Sequence, residues 1–370
     1  MSSSDYVSLH NHTTYSIMDS LIKPSDLFKR AKDLGQSAIA VTDHGTMSGA
    51  WDCLKASKEA GVKLIMGCEF YFLDDIAEAD KNAASGTHPS SRLRHIILLA
   101  KDAEGYRNLL TLNKEGNEHG TVMFKRVIPR IDWKMLETFN RGLICTTACG
   151  GGILSQLINT RRLDEARKQA QRLKDIFGDS LALEIQPHGM RRVANLYKDY
   201  EDQRFTNYQL IKLGDELGIK VIVATDAHYV LPEDHSAHDC MLAIGSGQPV
   251  FSGNRLKYSQ DFHIKSREEV IKTLNSILGN FRNRSEEFCD NTLLFANMCE
   301  QPDWIDPKVH RVTGLSWELP DFPVKDQPDY KEFLEWWRLP RDVGLLKEDD
   351  AYLRYLCENN FDKYFPSQDE

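Results

Sequence analysis

Short, densely apolar runs alternate along the chain with longer stretches whose apolar residues recur at three- and four-residue spacing. The alternation in Tyr6-Val7-Ser8-Leu9 predicts a first strand. Pro24-Ser25 opens a helix that keeps Leu27, Phe28, Ala31 and Leu34 on one face and stops at Gly35. Residues 38–42 read as a second strand, and a helix runs through Trp51, Leu54 and Ala60 to Gly61. Residues 62–66 form a third strand leading to Glu69, and the small, polar residues 74–92 predict an exposed, mobile loop. Further strands are expected at 95–100, 142–147, 181–186 and 220–225, with helices at 102–115, 163–177 and 204–217. Strand and helix in turn, without hairpin signals, predict an α/β fold with a parallel sheet. A closed β/α barrel would gather the strand ends on one face, whereas an open doubly wound sheet would spread them too widely to share one site. Beyond residue 230 the pattern changes. Residues 266–300 read as mainly helical, 301–342 as irregular, and 349–364 as a last amphipathic helix.

Composition narrows the class. At 370 residues, one large domain with an appendage or two domains are expected. No apolar run approaches a membrane span, and the first residues lack the apolar core of a signal peptide. The 8 cysteines include no C-x-x-C pair, which suits free thiols in a reducing cytoplasm and argues against a Cys-only zinc site. A formal charge of −9 argues against a strong free-standing nucleic-acid binder, because such binding rests on neutralising phosphates.

The candidate chemistry sits where the strands end. His10 and His12, two apart on an extended segment, point to one face, and Asp226 and His228 repeat that spacing. With Asp19, His44, Glu69, His95 and Cys149 they offer five imidazoles, three carboxylates and a thiol. These are too many for one ion and enough for two or three, with Glu69 as a bridge. The mixture suits Zn, Mn or Fe, with Mg a further candidate. Clustered divalent ions are a device for cleaving phosphoesters. Any one of these histidines alone would read as an ordinary core residue; the set carries the inference. Asp43 is expected to orient His44 or cap a turn, and Cys145 to be a small buried apolar group. His235 and His238 are expected on a solvated helix face rather than on a metal. Gly150-Gly151-Gly152 suits either a phosphate cradle or a turn beside Cys149. Arg92, Arg94, Lys125, Arg126 and Arg130 are candidate phosphate contacts against a default of solvated surface.

The motifs His10-Asn11-His12, Thr42-Asp43-His44-Gly45 and Asp226-Ala227-His228 resemble those of the PHP (polymerase and histidinol phosphatase) family. The branch found in the alpha subunit of bacterial DNA polymerase III is the more similar. Thr13-Thr14-Tyr15-Ser16 through Asp19, 103–110, Leu183-Glu184-Ile185-Gln186, Tyr229 and the 291–299 segment carry that resemblance, as does the cysteine at 149. It covers about residues 5–300 and implies a distorted (β/α)7 barrel with a mostly helical C-terminal extension, divided at 1–265 and 266–370. It also implies a partition of ligands. One ion would take His10, His12, Glu69 and Asp226; a second Glu69, His95 and Cys149; a third Asp19, His44 and His228.

The expected activity is metal-dependent phosphoester hydrolysis by activated water, as a proofreading 3′–5′ exonuclease on a single-stranded DNA 3′ end. The alternatives are a small-molecule phosphomonoesterase of the histidinol-phosphatase kind and a noncatalytic scaffold of a split polymerase. The resemblance fades where a polymerase palm would begin, so no polymerase activity is expected and a separately encoded polymerase chain is a candidate partner. Trp304, Trp317, Phe322, Trp336 and Trp337 either pack on their own domain or present a docking surface to it.

Overall fold

The structure is a computed structural model; it describes residues 6–84, 93–123, 126–188, 203–253, 255–305, 324–337 and 348–364. The chain divides into two compact units, Met1–His310 and Arg311–Glu370.

In the first unit, helix α1 (Pro24–Asp33), strand β1 (Ala38–Val41), α2 (Ala50–Ala60) and β2 (Lys63–Phe72) follow the expected pattern. A short helix α3 (Ile76–Ala84) then precedes β3 (Arg94–Ala100). Helix α4 (Ala103–Glu118) leads to a small antiparallel pair, β4 (Thr121–Met123) and β5 (Arg126–Ile128). After α5 (Trp133–Thr138) come β6 (Leu143–Thr146), α6 (Ile153–Asn159), α7 (Leu163–Phe177), β7 (Leu181–Ile185), α8 (Gln203–Leu217) and β8 (Lys220–Val223). Helices α9 (His235–Ser246), α10 (Arg267–Ile277) and α11 (Ser285–Met298) complete the unit.

The main sheet has six strands in the order β1-β2-β3-β6-β7-β8. Residues 8–12 join its two edges. Ala40 N–H donates to Ser8 O at 2.9 Å and Thr42 N–H to Asn11 O at 2.9 Å on the β1 side. On the other side His12 N–H donates to Ala227 O at 2.9 Å. The sheet thus curls into a distorted barrel with this segment as the seventh stave. The segment is no regular strand. Val7 and Leu9 join the interior core, yet His10 and His12, of the other parity, also face inward, which a two-residue repeat forbids.

The expectation of parallel strands without hairpins fails twice: β4 and β5 form a small antiparallel pair, and one strand of the main sheet is reversed. β3 runs antiparallel to both β2 and β6, while β1-β2, β6-β7 and β7-β8 are parallel. Both faces of β3 are buried, between core and helices, so its sequence is a continuous apolar run whichever way it points. The reversal matters: His95 begins β3 rather than ending it, and only a reversed strand brings its start to the rim where the other strands end. Glu69 likewise lies inside β2, a strand longer than expected. Residues 76–84 are helical rather than loop, because Ile76 and Ala79, three apart, pack with Leu73; residues 85–92 lie outside the described ones.

The interior is layered. Ala38, Ala40, Ile65, Ile97, Leu99, Ile144, Ala182 and Ile222 fill the barrel, and Phe295, Ala296 and Cys299 of α11 and the residue after it close its lower end. Lys63 Nζ donates to Ala296 O at 2.7 Å and to Cys299 O at 3.0 Å, and Val7 N–H donates to Thr292 Oγ1 at 3.0 Å. The two lysine bonds satisfy carbonyls at the C-terminal end of α11. With that end plugged by apolar side chains, the opposite rim is left for polar chemistry.

In the second unit, α12 (Tyr330–Trp337) and α13 (Glu348–Tyr364) share a core of Val324, Phe333, Trp336, Ala351, Tyr352 and Tyr355. Trp336 is part of this core and donates from Nε1 to Glu358 Oε2 at 3.2 Å, and Trp304 of the first unit packs on Tyr106 at 4.7 Å. These two tryptophans therefore pack on their own units; Trp317, Phe322 and the Trp337 side chain lie outside the described residues.

Candidate metal centre

The structure brings all nine sequence-derived candidates to one rim of the barrel. Three groups of donor atoms are in contact. In the innermost, His10 Nε2 lies 3.0 Å from Asp226 Oδ1, 3.1 Å from His12 Nε2 and 3.5 Å from Glu69 Oε2. His12 Nε2 lies 3.1 Å from Glu69 Oε2 and 3.3 Å from Asp226 Oδ1. The other oxygen of Glu69 faces a second group: Oε1 is 2.9 Å from His95 Nδ1 and 3.6 Å from Cys149 Sγ, and those two atoms are 3.6 Å apart. In the third, Asp19 Oδ2 is 2.8 Å from His44 Nε2 and 3.4 Å from His228 Nε2. The groups share walls, since His44 Nδ1 also comes within 2.9 Å of Glu69 Oε2.

These donors fit divalent ions. Glu69 Oε2, Asp226 Oδ1, His44 Nδ1 and His228 Nε2 are buried without a hydrogen bond. Lone pairs buried facing one another are costly unless a cation or proton lies between them. For metal bonds near 2.1 Å, tetrahedral ligands stand about 3.4 Å apart, which lies within the inner spacings of 3.0–3.5 Å. Three sets of His and Glu donors, His12/His44/His228, His10/His12/Glu69 and His44/Glu69/His95, each converge closely enough for one ion.

The electrostatics of the protein alone have the same cause. Burial raises the pKa values of Glu69, Asp226 and Asp19, but the surrounding imidazoles outweigh it and hold all three well below the usual carboxylate range. Burial likewise pushes the imidazoles of His10, His44 and His228 down, and the neighbouring acids, preceded at His44 by Tyr71, more than reverse this. Burial raises the Cys149 thiol well above its ordinary value, with Glu69 adding to the effect. Such a site holds protons where ions would sit, and loading it must displace them.

Backbone strain marks the ligands. Met18, Ala148 and Asp226, all non-glycine, have φ of 65°, 57° and 47°. Two immediately precede Asp19 and Cys149 and the third is a ligand candidate itself; such positions cost of order 1–3 kcal/mol each. The triglycine is a turn. Gly151 N–H points at Cys149 Sγ at 3.4 Å, and a Cβ on Gly152 would lie 2.0 Å from Thr147 O.

A supporting layer turns the imidazoles inward. Asp43 accepts from Thr13 N–H at 2.6 Å, Thr13 Oγ1 at 2.8 Å and Ser16 Oγ at 2.8 Å. The Ser16 proton is thereby committed, so His12 Nδ1, 2.9 Å away, donates to Ser16 Oγ and leaves its Nε2 lone pair for the site. Asp43 therefore steadies His12 through Ser16, and meets the backbone of His44 through the same hydroxyl at 3.1 Å. His228 Nδ1 donates to Asp226 O at 2.8 Å. Glu184, whose carboxylate lies 2.7 Å from His10 Nδ1, is a site residue that spacing alone did not single out. Its only signal was its place in the Leu183-Glu184-Ile185-Gln186 motif.

Other candidates fall away. His238 is buried and donates from Nε2 to Asp19 O at 2.8 Å, so it supports the Asp19 loop instead of facing solvent. His235 Nε2 meets Tyr258 O at 3.1 Å. Arg94 pairs with Asp74 at 2.5 Å and Arg130 with Asp80 at 2.7 Å, both buried, which leaves neither for substrate. Arg92 and Lys125 lie outside the described residues.

The PHP domain family matches residues 8–188, the stretch that supplies seven of the nine donors. The chain carries a PHP domain. Its relatives place that domain more closely. It is 37% identical over 322 residues to the DNA polymerase III subunit alpha of Borreliella burgdorferi, covering 87% of this chain and 25% of the relative. It is 34% identical over 305 residues to that of Helicobacter pylori strain 26695, covering 80% and 23%. It is 32% identical over 354 residues to that of Deinococcus radiodurans, covering 94% and 24%. The PHP domain here is thus related to that of the polymerase III alpha subunits, and the chain spans about a quarter of the length of these relatives. Among the described residues no helix is long and apolar enough to cross a membrane.

Proposed function

We propose that this PHP domain is a metal-dependent phosphoesterase that hydrolyses DNA from the 3′ end as a 3′–5′ exonuclease. The observation that carries the reading is Glu69. One buried carboxylate turns Oε2 to His10, His12 and His44, and Oε1 to His95 and Cys149. Divalent ions held there would supply Lewis acidity to a phosphoryl group and lower the pKa of water. The residues do the rest. His10, His12, Glu69 and Asp226 form the floor, and Asp19, His44, His95 and Cys149, all partly exposed, form the open side through which a phosphodiester enters. Tyr71, two residues beyond Glu69 on the same strand face, borders that opening, 5.9 Å from the His44 ring and 5.3 Å from the His95 ring.

The relatives' name as polymerase subunits supports DNA as substrate. The chain's charge of −9 supports delivery of the strand by a partner rather than long-range capture. A separately encoded polymerase chain is that proposed partner, and copurification from the native source tests it. For the activity, the protein is loaded in turn with Zn, Mn, Fe and Mg and given single- and double-stranded DNA labelled at the 5′ end. A ladder shortening from the 3′ end, strongest on single strands, is the expected result. Hydrolysis confined to small phosphomonoesters would replace the exonuclease reading with the phosphatase one. Full metal occupancy without any hydrolysis would leave a scaffold.

A further inference from the structure

The innermost donor group has a support of a kind the others lack. Glu184 stands on β7 within the barrel, 1% exposed. Its Oε1 lies 2.7 Å from His10 Nδ1 and accepts from Gln186 Nε2 at 3.3 Å; its Oε2 accepts from Thr146 Oγ1 at 2.7 Å. Its own N–H donates to Thr147 Oγ1 at 2.9 Å. Gln186 is held in turn by Asn207 of α8, which accepts from Gln186 N–H at 3.2 Å and donates to Gln186 O at 2.8 Å. The carboxylate is therefore anchored from two strands and a helix. An ionised carboxylate only accepts, so His10 keeps its proton on Nδ1 and turns the Nε2 lone pair to Glu69 and Asp226. His12 and His228 are oriented instead by neutral oxygens, Ser16 Oγ and Asp226 O.

We propose that Glu184 is a positioning residue for His10: it fixes the tautomer and ring orientation and strengthens His10 as a donor, so that the His10/His12/Glu69/Asp226 group binds a divalent ion more tightly than the other two. A carboxylate behind a ligating histidine raises its basicity and removes the freedom to rotate away, and its loss typically lowers metal affinity about 10–100-fold. The proposal rests on the metal-centre reading above. Glu184 itself touches neither Asp226 nor the open side of the site, so its effect passes through His10.

The test is a Zn²⁺ titration of the full chain, first stripped of metal, against a competing chromophoric chelator, for the wild type and Glu184→Gln. Glutamine keeps the volume, and its carbonyl still accepts from His10, so the metal-free melting temperature should stay close to wild type. The tightest binding step should weaken by about 10–100-fold, with the weaker steps unmoved. Equal affinity in the two proteins would overturn the role of Glu184 while leaving the metal centre standing. A wild type that takes up no Zn²⁺ would remove the metal centre itself. Should the variant misfold, the Zn²⁺-loaded wild type still decides: ring ¹⁵N shifts of His10 must report a proton on Nδ1 and a ligated Nε2, and an Nε2–H tautomer with Zn²⁺ bound would overturn the proposal.

Discussion

The inner and outer halves of the site are built from the same residue types but held differently. In the inner half, His10, His12 and Glu69 have fully buried side chains, and both histidines are braced from behind, one by Glu184 and one through Ser16 by Asp43. In the outer half, His44, Asp19 and His95 are 16%, 20% and 23% exposed, and Asp19 and Cys149 ride on loops entered through left-handed residues. The inner half is held by core packing and by hydrogen bonds from behind its histidines. The outer half is open to solvent. A hydrolytic centre needs both: a fixed charge to hold an ion, and access for the phosphate.

The largest test of this contrast is Asp226→Asn. Asparagine tolerates the left-handed backbone at this position, so the fold should survive while the inner half loses a charged donor. Hydrolysis of a chromogenic phosphodiester should fall by at least about 100-fold, the upper range seen for mere second-layer losses; wild-type turnover at full metal occupancy would sink the assignment. Cys149→Ala probes the outer half. Metal analysis should show the loss of no more than one ion per chain and a drop in activity of roughly 10-fold, as for one supporting partner. Loss of all bound metal would show instead that the halves are inseparable.

Chelation bears on both halves at once. Ions present at a hundred times their dissociation constant add about 2.7 kcal/mol, which at 2–4 °C per kcal/mol makes the expected fall in melting temperature roughly 5–10 °C. Reloading near pH 7 should also acidify a weakly buffered solution, because the acids around His10, His44 and His228 hold protons on them. An unchanged melting temperature after complete metal removal would deny the ions any structural share.

The smallest effect concerns the support of the outer half. Burial, then the neighbouring His228, pushes the His238 pKa down to about 4. The unfolded chain binds that proton more readily than the folded one between about pH 4 and 6.5. The stability His238 contributes is therefore full above pH 6.5 and is lost as the pH falls towards 4. The gap in melting temperature between wild type and His238→Phe should accordingly narrow by roughly 4–7 °C between pH 7 and pH 5. A gap that widens on acidification would show that His238 is protonated in the fold.

Much of this was legible in the chain. Periodicity located α1, α2, α7, α8 and the buried strands, since a two-residue or a 3.6-residue repeat of apolar groups leaves few other folds for a segment. The His-x-His and Asp-x-His spacings and the residue types at the ends of apolar runs point to the nine donors. The helix at 76–84 was missed because its apolar stripe is only two residues long, below what a periodicity can reveal.

The sequence by itself determined the chemistry on offer: imidazoles, carboxylates and one thiol at the ends of short apolar runs, with enough core to hold them. Only the tertiary structure decided how they meet. The reversal of β3 pairs His95 with Tyr71 and so brings its Nδ1 to Glu69, and no local pattern records it, because a strand buried on both faces reads the same in either direction. Glu184 came to stand behind His10 by the same kind of long-range event. The two residues are 174 apart in the chain and touch only because the barrel closes.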